Sequence, residues 1–513
     1  MENKKFYITT PIYYPSDNFH IGHCYTTIIA DSIARFKRLS GYDTFFLTGT
    51  DEHGQKIEKK AKECGVTPKE YVDKIVDNAK DLWASLNISY DKFIRTTDKE
   101  HEEVVQKIFK KLYDQGDIYK GEYKGLYCTP CESFWTETQL DENGNCPDCH
   151  REVHEVKEEA YFFKLSKYQA WLEEFLDSHT DFIEPTSRKN EMINNFIKPG
   201  LADLCVSRTS FKWGIPVSFD ENHVVYVWID ALSNYISALG YLTDDDSLFK
   251  KYWPADLHIV GKEIVRFHTI IWPIMLKALN LPLPKKVFGH GWLVIDGGKI
   301  SKSLGNYKDP REYINAYGVD AVRYYALREV PFGSDGNFSE EALVTRTNSD
   351  LANILGNLVN RTIGMVNKYF DGVVDNKEIN EEIDIDLKNC ILDLRNKIDD
   401  NINRIRIADS LENIIDAYRR CNKYIDETTP WILAKDESKK DRLATVLYNL
   451  IESIRIITVF LQAYLPDTAE NIFKQINTDK KDYESTLEFG KYESNTKVGE
   501  AQVLFKRIDK DSE

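Results

Sequence analysis

The sequence contains no run of the roughly 20 apolar residues that a membrane-spanning helix requires. Its start is interrupted by Pro11 and Pro15, so no secretory signal peptide is predicted. It also contains no internal repeat and no low-complexity tract. With 513 residues, the chain is therefore expected to form several globular domains in the cytoplasm, away from membranes.

Basic residues are in deficit, with 67 lysines and arginines against 83 aspartates and glutamates. The resulting net charge of −16 argues against a nonspecific binder of polyanions. Binding to RNA would need a local cluster of basic side chains. The nine cysteines are an odd number, which indicates a reducing compartment rather than a disulfide framework.

The N-terminal segment has the order strand, turn and helix that is typical of a nucleotide-binding crossover. An apolar run at 6–10 predicts a strand, and a helical pattern follows at about 24–39. Between them, His20 and His23 flank Gly22 at a helix start, where backbone amides attract phosphate. Gly22 would let a flat purine ring approach the backbone. The alternative is a polar loop with two unrelated histidines.

A second buried strand, predicted at 44–51, ends in Thr-Asp-Glu-His-Gly. Residues at the carboxyl ends of parallel strands face the ligand crevice, so Asp51 is placed to bind a positive group such as a substrate amine. The alternative is that Asp51 caps the helix that follows, and position alone favours the cap.

Two close pairs of cysteines follow in the pattern C-x2-C-x14-C-x2-C. These are Cys128, Cys131, Cys146 and Cys149. Four thiolates in this spacing predict a closed tetrahedral zinc site, whereas a redox dithiol would need only one pair. His150 and His154 are near enough to replace a cysteine, although four sulfurs are the simpler set. We expect the metal to organise a small insert that braces a lid over the active site.

Apolar strand patterns resume at 224–232 and 257–263, each followed by a helix. In the second helix Ile264, His268 and Trp272 share one face, a stripe that is typical of core packing. A glycine-hinged loop at 297–303 then presents Lys299 and Lys302, with two hydroxyls, in a form suited to closing over a polyphosphate.

From about residue 342 the chain reads as a helical bundle with three apolar stripes. Asn353, Asn357 and Arg361 recur every four residues off the first stripe and could hydrogen-bond base edges, while Trp431 could stack on a base. A solvated polar face is the alternative. Residues 477–513 are highly charged and are predicted to be extended or partly disordered.

The His-Ile-Gly-His segment and the lysine loop, in this order, resemble the paired signatures of class I aminoacyl-tRNA synthetases. Within that class the whole chain is similar to the methionyl-tRNA synthetase family. The matching segments are residues 11–14, 20–23, 50–54, 128–149, 227–231, 260–268, 299–303 and 429–431. The lysine loop has Ile300 where the family usually has methionine, and we expect little effect from this exchange of apolar residues.

The resemblance implies an α/β fold, a Rossmann-type parallel sheet split by a zinc-knuckle insert and followed by an all-α bundle. It implies five segments. They are 1–116 and 225–341 for the catalytic halves, 117–224 for the insert, 342–476 for the anticodon-binding bundle and 477–513 for a charged extension.

The resemblance also implies the reaction and its residues. ATP would activate methionine as methionyl-adenylate, from which methionine is transferred to initiator and elongator methionine tRNA, with Mg²⁺ accompanying ATP and one structural Zn²⁺ bound by the four cysteines. The methionine-binding residues would be Pro11, Ile12, Tyr14, Asp51, Trp228, Ala231, Tyr235, Ile264 and His268. ATP would contact Gly22, Gly261, Glu263, Ser301 and Lys302. The catalytic residues would be His20, His23, Lys299 and Lys302. Anticodon reading would fall to Asn353, Asn357, Arg361 and Trp431.

Two alternatives remain open at this stage. Other class I synthetases, such as those for isoleucine, valine and leucine, have a longer insert that houses an editing domain, for which this chain has no room. The cysteine enzyme holds its substrate thiol with zinc ligands dispersed along the chain. A non-catalytic RNA-binding relative would have lost a histidine or lysine from the two signatures. Longer family members continue beyond a segment like 504–509, so we expect a short or truncated form that is monomeric.

Overall fold

The computed structural model describes residues 4–131, 133–135, 137–295, 307–330 and 333–509. Six parallel strands form the central sheet of the N-terminal half. They are β1 (Lys5–Tyr13), β2 (Asp43–Thr50), β3 (Lys92–Arg95), β4 (Ile183–Glu184), β5 (Leu257–Gly261) and β6 (Val287–His290). Their order in the sheet is β3-β2-β1-β5-β6-β4. The order reverses between β1 and β5, and a crevice at such a switch point is where α/β proteins bind ligands.

Strand β1 lies at the middle of this sheet and is buried along most of its length. Its pairing with β2 shifts register between Thr9 and Ile12. Pro11 lies inside this shift and has no N–H to donate to the ladder. The irregularity therefore lies near the carboxyl end of β1, and pairing with β2 resumes at Ile12 and Tyr13 before the chain turns towards the first helix.

Helices cover both faces of the sheet. They are α1 (Ile21–Leu39), Gln55–Glu63, Pro68–Ser85, Lys99–Asp114, Val227–Ser237, Ser247–Tyr252 and Trp272–Ala278. The strand predicted at 224–232 is wrong in its second half, because helix Val227–Ser237 begins there. A short apolar run does not distinguish a buried strand from a helix that is buried on most sides.

The segment between β3 and β5, which includes β4, forms two small antiparallel sheets. Their strands are Ile118–Cys128, Ser133–Trp135, His154–Phe163 and Leu204–Cys205 in one, and Ser207–Arg208, Pro216–Val217 and Asp220–Val225 in the other. The helices here are Gln169–Ser178 and Thr186–Met192, followed by a π-helical turn, Ile193–Ile197. Within this segment β4 joins the edge of the central sheet by pairing with β6. The insert therefore contributes to the same sheet that it interrupts.

After β6, strand Leu293–Ile295 pairs in parallel with Gly336–Phe338, and most of the described residues from 307 to 476 are helical. The helices are Pro310–Tyr317, Val319–Glu329, Glu340–Arg346, Asn357–Phe370, Glu382–Asn403, Ile407–Thr428, Pro430–Leu433, Lys440–Leu461 and Pro466–Ile476, with a π-helical stretch at Thr347–Gly356. The side chains of the three predicted apolar stripes are buried in the centre of this helical region, as in a helical bundle.

One helical segment, Glu437–Leu461, is long and apolar enough to cross a membrane by length and composition. The segment is not an uninterrupted apolar run, because Asn449, Glu452 and Arg455 lie within it. The apolar part of this helix is wholly buried inside the protein. A helix that is surrounded by other helices is apolar on every side, and this explains the composition.

The charged segment at 477–509 packs against the bundle with little regular structure, so the extended alternative fits these residues and partial disorder does not. Tyr483 and Tyr492 are buried, and Thr496–Lys497 pairs with Val373–Val374. The buried guanidinium of Arg455 donates to the Ser485 carbonyl and hydroxyl. A few buried anchors fix this segment, although its average composition is that of a disordered tail.

Candidate active site

The switch point of the sheet opens into a cavity of about 450 Å³. Fourteen residues that the sequence singles out line it together. They are Pro11, Ile12, Tyr14, His20, Gly22, His23, Asp51, Trp228, Ala231, Tyr235, Gly261, Glu263, Ile264 and His268. These residues come from four separate parts of the chain. The fold therefore brings the nucleotide signature and the aromatic residues into one compartment.

The two histidines of the nucleotide signature cap helix α1. His20 is the N-cap residue, and its Nδ1 accepts a hydrogen bond from the Gly22 N–H over 3.1 Å. The His20 N–H in turn donates to Nδ1 of His23 over 3.0 Å. Because Nδ1 is the acceptor in both neutral rings, each ring has its proton on Nε2. Each ring therefore offers an N–H donor beside the positive end of a helix.

Gly22 is required by the packing of His20. A Cβ at Gly22 would lie 2.9 Å from Cε1 of His20. One turn further along α1, the Thr26 hydroxyl contacts Nε2 of His290 over 2.8 Å, and Nδ1 of His290 donates to the Gly291 carbonyl. Burial lowers the pKa of His290, so this ring is a neutral acceptor that joins α1 to the end of β6.

Asp51 lies immediately after β2 on the cavity wall and is 6% exposed. The helix that follows is capped by Gly54, so the interpretation of Asp51 as a helix cap is wrong. The next residue, Glu52, is held by a two-bond ion pair with Arg95 on β3. Asp51 is thus a carboxylate that a rigid loop presents to the cavity.

Behind Asp51, a buried aspartate joins two histidines from different elements. Nδ1 of His53 lies 2.7 Å from Asp230 Oδ2, and Nε2 of His101 lies 2.7 Å from Asp230 Oδ1. Burial alone would lower the pKa of His53, but the Asp230 carboxylate outweighs it and raises the pKa to about 10. His53 is therefore a cation at neutral pH. Because Asp230 belongs to helix Val227–Ser237, the cluster fixes this helix against the Asp51 loop.

The polar end of the aromatic wall is formed by Tyr235 and His268. The Tyr235 hydroxyl lies 2.7 Å from Nε2 of His268, whose Nδ1 lies 2.9 Å from the Ile264 carbonyl. Burial lowers the pKa of His268 to about 4, so the ring is neutral. Trp272, the third residue of the predicted stripe, packs in the core, whereas Ile264 and His268 face the cavity.

The apolar part of the wall is a stacked pair of rings. Trp228 and Phe267 lie parallel, with centroids 3.5 Å apart and an angle of 7° between their planes. Ile12, Ala231 and Leu232 line the same cavity. An apolar, aromatic pocket with a neutral polar end suits a polarizable thioether side chain.

Glu263 lines the same cavity, just after β5. Its Oε2 accepts a hydrogen bond from the Trp292 indole N–H over 2.6 Å. A Cβ at Gly261 would lie 2.5 Å from the same carboxylate, so a larger residue there would displace the Glu263 side chain. The placement leaves a carboxylate at a strand end, where the hydroxyls of a ribose could be bound.

The four predicted cysteine ligands converge. Their sulfur atoms all lie within 4.8 Å of one another. Cys128 and Cys149 are 3.5 Å apart, and Cys131 and Cys146 are 3.9 Å apart. A tetrahedral zinc site with Zn–S bonds of about 2.3 Å has sulfurs about 3.8 Å apart, so this geometry fits zinc. His150 instead pairs with Asp141, which leaves an all-sulfur set.

Burial raises the pKa of Cys128 to about 12, and the neighbouring thiols add to the shift. At Cys149, hydrogen bonds from the Arg151 backbone and the neighbouring thiols outweigh burial and lower the pKa. Four thiolates together therefore need a cation to offset their charge. The donor set therefore fits a resident divalent metal. None of the nine cysteines, all of which lie in the described ranges, forms a disulfide.

The remaining predicted residues lie elsewhere. Asn353 and Asn357 are exposed on the bundle, and Arg361 has its guanidinium 4.0 Å from Asp426. Trp431 is 40% exposed, which is high for a tryptophan. Lys299, Ser301 and Lys302 lie outside the described residues.

Sequence reasoning missed several residues of the cavity, among them Thr26, Phe267, His290 and Trp292. His290 ends β6, so the rule that ligands bind at the carboxyl ends of strands could have found it. Thr26 and Trp292 have no such signal, because only the packed structure brings them to the site.

Comparison with known proteins agrees with this geometry. The family model described as "tRNA synthetases class I (M)" matches residues 6–158 and 151–363. The model "Anticodon binding domain of methionyl tRNA ligase" matches residues 375–513. The methionine–tRNA ligase of Clostridium acetobutylicum is 62% identical over 510 residues, covering 99% of this chain and 79% of its own length. The chain belongs to the methionyl-tRNA synthetase family.

Another family member, from Caldanaerobacter subterraneus, is also 62% identical to this chain. The match covers 99% of this chain and 80% of that protein. The Mycobacterium tuberculosis methionyl-tRNA synthetase in complex with methionyl-adenylate has a TM-score of 0.94 at 39% identity, covering 98% of this chain and 99% of that one. Its apo form has a TM-score of 0.89 at 37% identity and covers 99% of both chains. The described fold is thus closer to the adenylate-bound form than to the free form.

Proposed function

We propose that this chain is a methionine–tRNA ligase, which activates methionine with ATP and transfers it to methionine tRNA. The observation that supports this best is the single cavity in which the capped histidines of α1, the Asp51 carboxylate and the Trp228–Phe267 wall meet. Membership of the family supports the same reaction.

Methionine would bind with its ammonium on Asp51 and its side chain along Trp228. The neutral dyad of Tyr235 and His268 would contact the sulfur. Pro11, Ile12, Tyr14, Ala231 and Ile264 complete this half of the cavity. Because the dyad carries no charge, it can face an apolar thioether without the cost of desolvating an ion.

ATP would bind across the start of α1, with the purine near Gly22 and Gly261 and the ribose on Glu263. The methionine carboxylate then attacks the α-phosphorus, a P–O bond forms, and the bond to pyrophosphate breaks. The carboxylate is already ionised, so no general base is needed. Catalysis is positioning and stabilisation of phosphate charge.

His20 and His23 would supply that stabilisation through their Nε2–H donors, since Nδ1 is occupied by the helix cap in both rings. Lys299 and Lys302, helped by Ser301, would neutralise the departing pyrophosphate, and ATP enters as its Mg²⁺ complex. In the second step the terminal ribose hydroxyl of tRNA attacks the adenylate carbonyl, and AMP leaves.

Anticodon recognition would use Asn353, Asn357, Arg361 and Trp431 on the bundle. Their exposure supports this role, because base edges and faces must reach these side chains. The four cysteines would hold one structural zinc that organises the insert. We propose the five segments 1–116, 117–224, 225–341, 342–476 and 477–513 as functional divisions of a monomeric, cytoplasmic enzyme.

Aminoacylation of methionine tRNA tests the proposal. We expect the chain to charge a transcript of methionine tRNA and to lose at least a hundredfold in kcat/KM when the anticodon is changed. Asn357→Ala should reduce charging of the native transcript without changing adenylate formation. Asn396→Ala, an exposed asparagine on helix Glu382–Asn403, is the matched control. Equal charging of both transcripts would refute the anticodon assignment, and no charging of either would refute the function.

A further inference from the structure

Arg266 lies between the cysteine cluster and the aromatic wall of the cavity. Its guanidinium carbon lies 4.6 Å from the ring centroid of Trp135 and 4.5 Å from that of Phe267, with Phe196 at 5.5 Å. The Arg266 side chain is only 17% exposed. A cation that is enclosed by three aromatic rings gains from their faces but loses most of its hydration.

This buried cation has little compensation from carboxylates. Its nearest described acid is Asp148, at 3.8 Å, and Asp148 itself is 44% exposed. Nε of Arg266 has no hydrogen-bond partner among the residues that the structure describes. Burial lowers the pKa of Arg266, whereas Asp148, Tyr226 and the sulfurs of Cys146 and Cys131 act in the opposite direction. Apart from Tyr226, the groups that favour the guanidinium belong to the cysteine cluster and its loop.

A zinc ion bound by four thiolates has a net charge of −2, which follows from four negative ligands on a divalent cation. Trp135 packs in one cluster with Cys128 and Cys146, so the ring that touches Arg266 also touches the metal ligands. A buried cation and a buried dianion stabilise each other when they are close and shielded from water.

The other face of Arg266 belongs to the methionine cavity. Phe267, its neighbour in the chain and in space, stacks on Trp228, and Ile264 and His268 lie on the same turns. Cys131, Asp148 and Cys149 line the cavity directly. A shift of the cysteine loops would thus reach Phe267 through Arg266.

We propose that Arg266 is a positioning residue that neutralises the metal-loaded cysteine cluster and fixes Phe267, and through it Trp228, in the methionine cavity. The inference rests on the proposed zinc site and the proposed methionine site. It makes metal retention and methionine affinity depend on one side chain that binds neither metal nor substrate.

Two variants test this proposal. Arg266→Met keeps most of the side-chain volume and removes the charge, whereas Arg266→Lys keeps a charge. Lys277→Met is the matched control, because Lys277 lies over the Trp171 ring at 5.2 Å on the next helix and outside the cavity. The readouts are zinc content, the rate of zinc release to a chromogenic chelator, and the KM for methionine and for ATP in pyrophosphate exchange.

For Arg266→Met we expect zinc release at least tenfold faster and a methionine KM about tenfold higher, with the ATP KM within twofold. Arg266→Lys should restore most of the zinc retention, and Lys277→Met should match the wild type. Wild-type zinc release in Arg266→Met would overturn the proposal. So would faster release with an unchanged methionine KM, because the coupling would then be absent.

The outcome also separates this inference from the proposals on which it rests. Wild-type protein that folds without zinc would refute the zinc site, and wild-type protein without methionine-dependent exchange would refute the function. If Arg266→Met fails to fold, Arg266→Lys decides. Because a lysine cannot stack as a planar group, it should retain zinc within about threefold of wild type but still raise the methionine KM. An unchanged methionine KM in the lysine variant would overturn the positioning role.

Discussion

The Tyr235 hydroxyl donates a hydrogen bond to Nε2 of His268 over 2.7 Å. The direction follows from the other ring nitrogen, since Nδ1 donates to the Ile264 carbonyl. The two polar side chains at the end of the cavity therefore satisfy each other and carry no net charge. A side chain that must accept a hydrogen bond would find no free donor in this dyad, whereas a thioether needs none.

The first prediction concerns this dyad. Tyr235→Phe removes the donor and leaves Nε2 of His268 buried without its partner, which lets the ring turn away from the position that contacts the sulfur. We expect the methionine KM to rise about tenfold while the ATP KM stays within twofold. Steady-state pyrophosphate exchange measures both. Tyr241→Phe, on a buried tyrosine outside the cavity, is the control, and equal effects of the two variants would refute the specific role.

The second prediction concerns Gly22. Gly22→Ala would place a methyl group 2.9 Å from Cε1 of His20 and force that ring out of the helix cap. We expect the rate of adenylate formation to fall at least tenfold, because a phosphate donor is displaced. Gly364→Ala is the matched control, since a Cβ there meets nothing within 4 Å. Single-turnover kinetics with saturating methionine measures this rate. A wild-type rate in both variants would contradict the prediction.

The third prediction concerns pH and the cluster of His53, Asp230 and His101. The pKa of His53 is about 10 in the folded protein and about 6.5 in an unfolded chain, so folding favours the protonated ring. A raised pKa adds stability that is present in full below about pH 6.5 and is lost as the pH rises towards 10. The unfolding free energy of the wild type should therefore exceed that of His53→Gln by the largest margin at low pH.

Urea unfolding at about pH 6.5 and about pH 9.5 tests this sign. We expect the gap in unfolding free energy between wild type and His53→Gln to shrink at the higher pH. A gap that stays constant would show that the ring is not held as a cation. His101→Gln reports on the other end of the same aspartate.

The fourth prediction concerns the lysine loop, which lies outside the described residues. Lys302→Ala should lower the rate of adenylate formation at least a hundredfold, because it removes a charge that offsets the developing pyrophosphate. The dissociation constant for methionine should change little. Stopped-flow measurement of both constants decides, and equal losses in the two would contradict the assignment.

The sequence allowed much of the catalytic half to be predicted, because its signals are local. His20, Gly22 and Asp51 follow strands whose apolar runs are clear, and parallel strands place their carboxyl ends together. The four cysteines could likewise be grouped from their spacing alone. In each case a short pattern fixes both the element and the position of the side chain within it.

The rest depended on packing between distant segments. Asp230 binds His53 and His101 only because two helices and the Asp51 loop, from three parts of the chain, meet behind the cavity. The apolar run at 227–232 is consistent with either a buried strand or a buried helix, and the local pattern does not distinguish the two. The packing of the extended C-terminal segment could not be predicted for a related reason, since two buried tyrosines outweigh a charged average composition.

The measurement that tests the account most directly is amino-acid-dependent exchange between ATP and pyrophosphate, run with all twenty amino acids and without tRNA. We predict strong exchange with methionine alone, because the cavity joins a carboxylate for the ammonium, an aromatic wall and a neutral dyad. Exchange with another amino acid would contradict the assignment of the pocket. No exchange with any amino acid, from folded protein loaded with zinc, would contradict the proposed reaction itself.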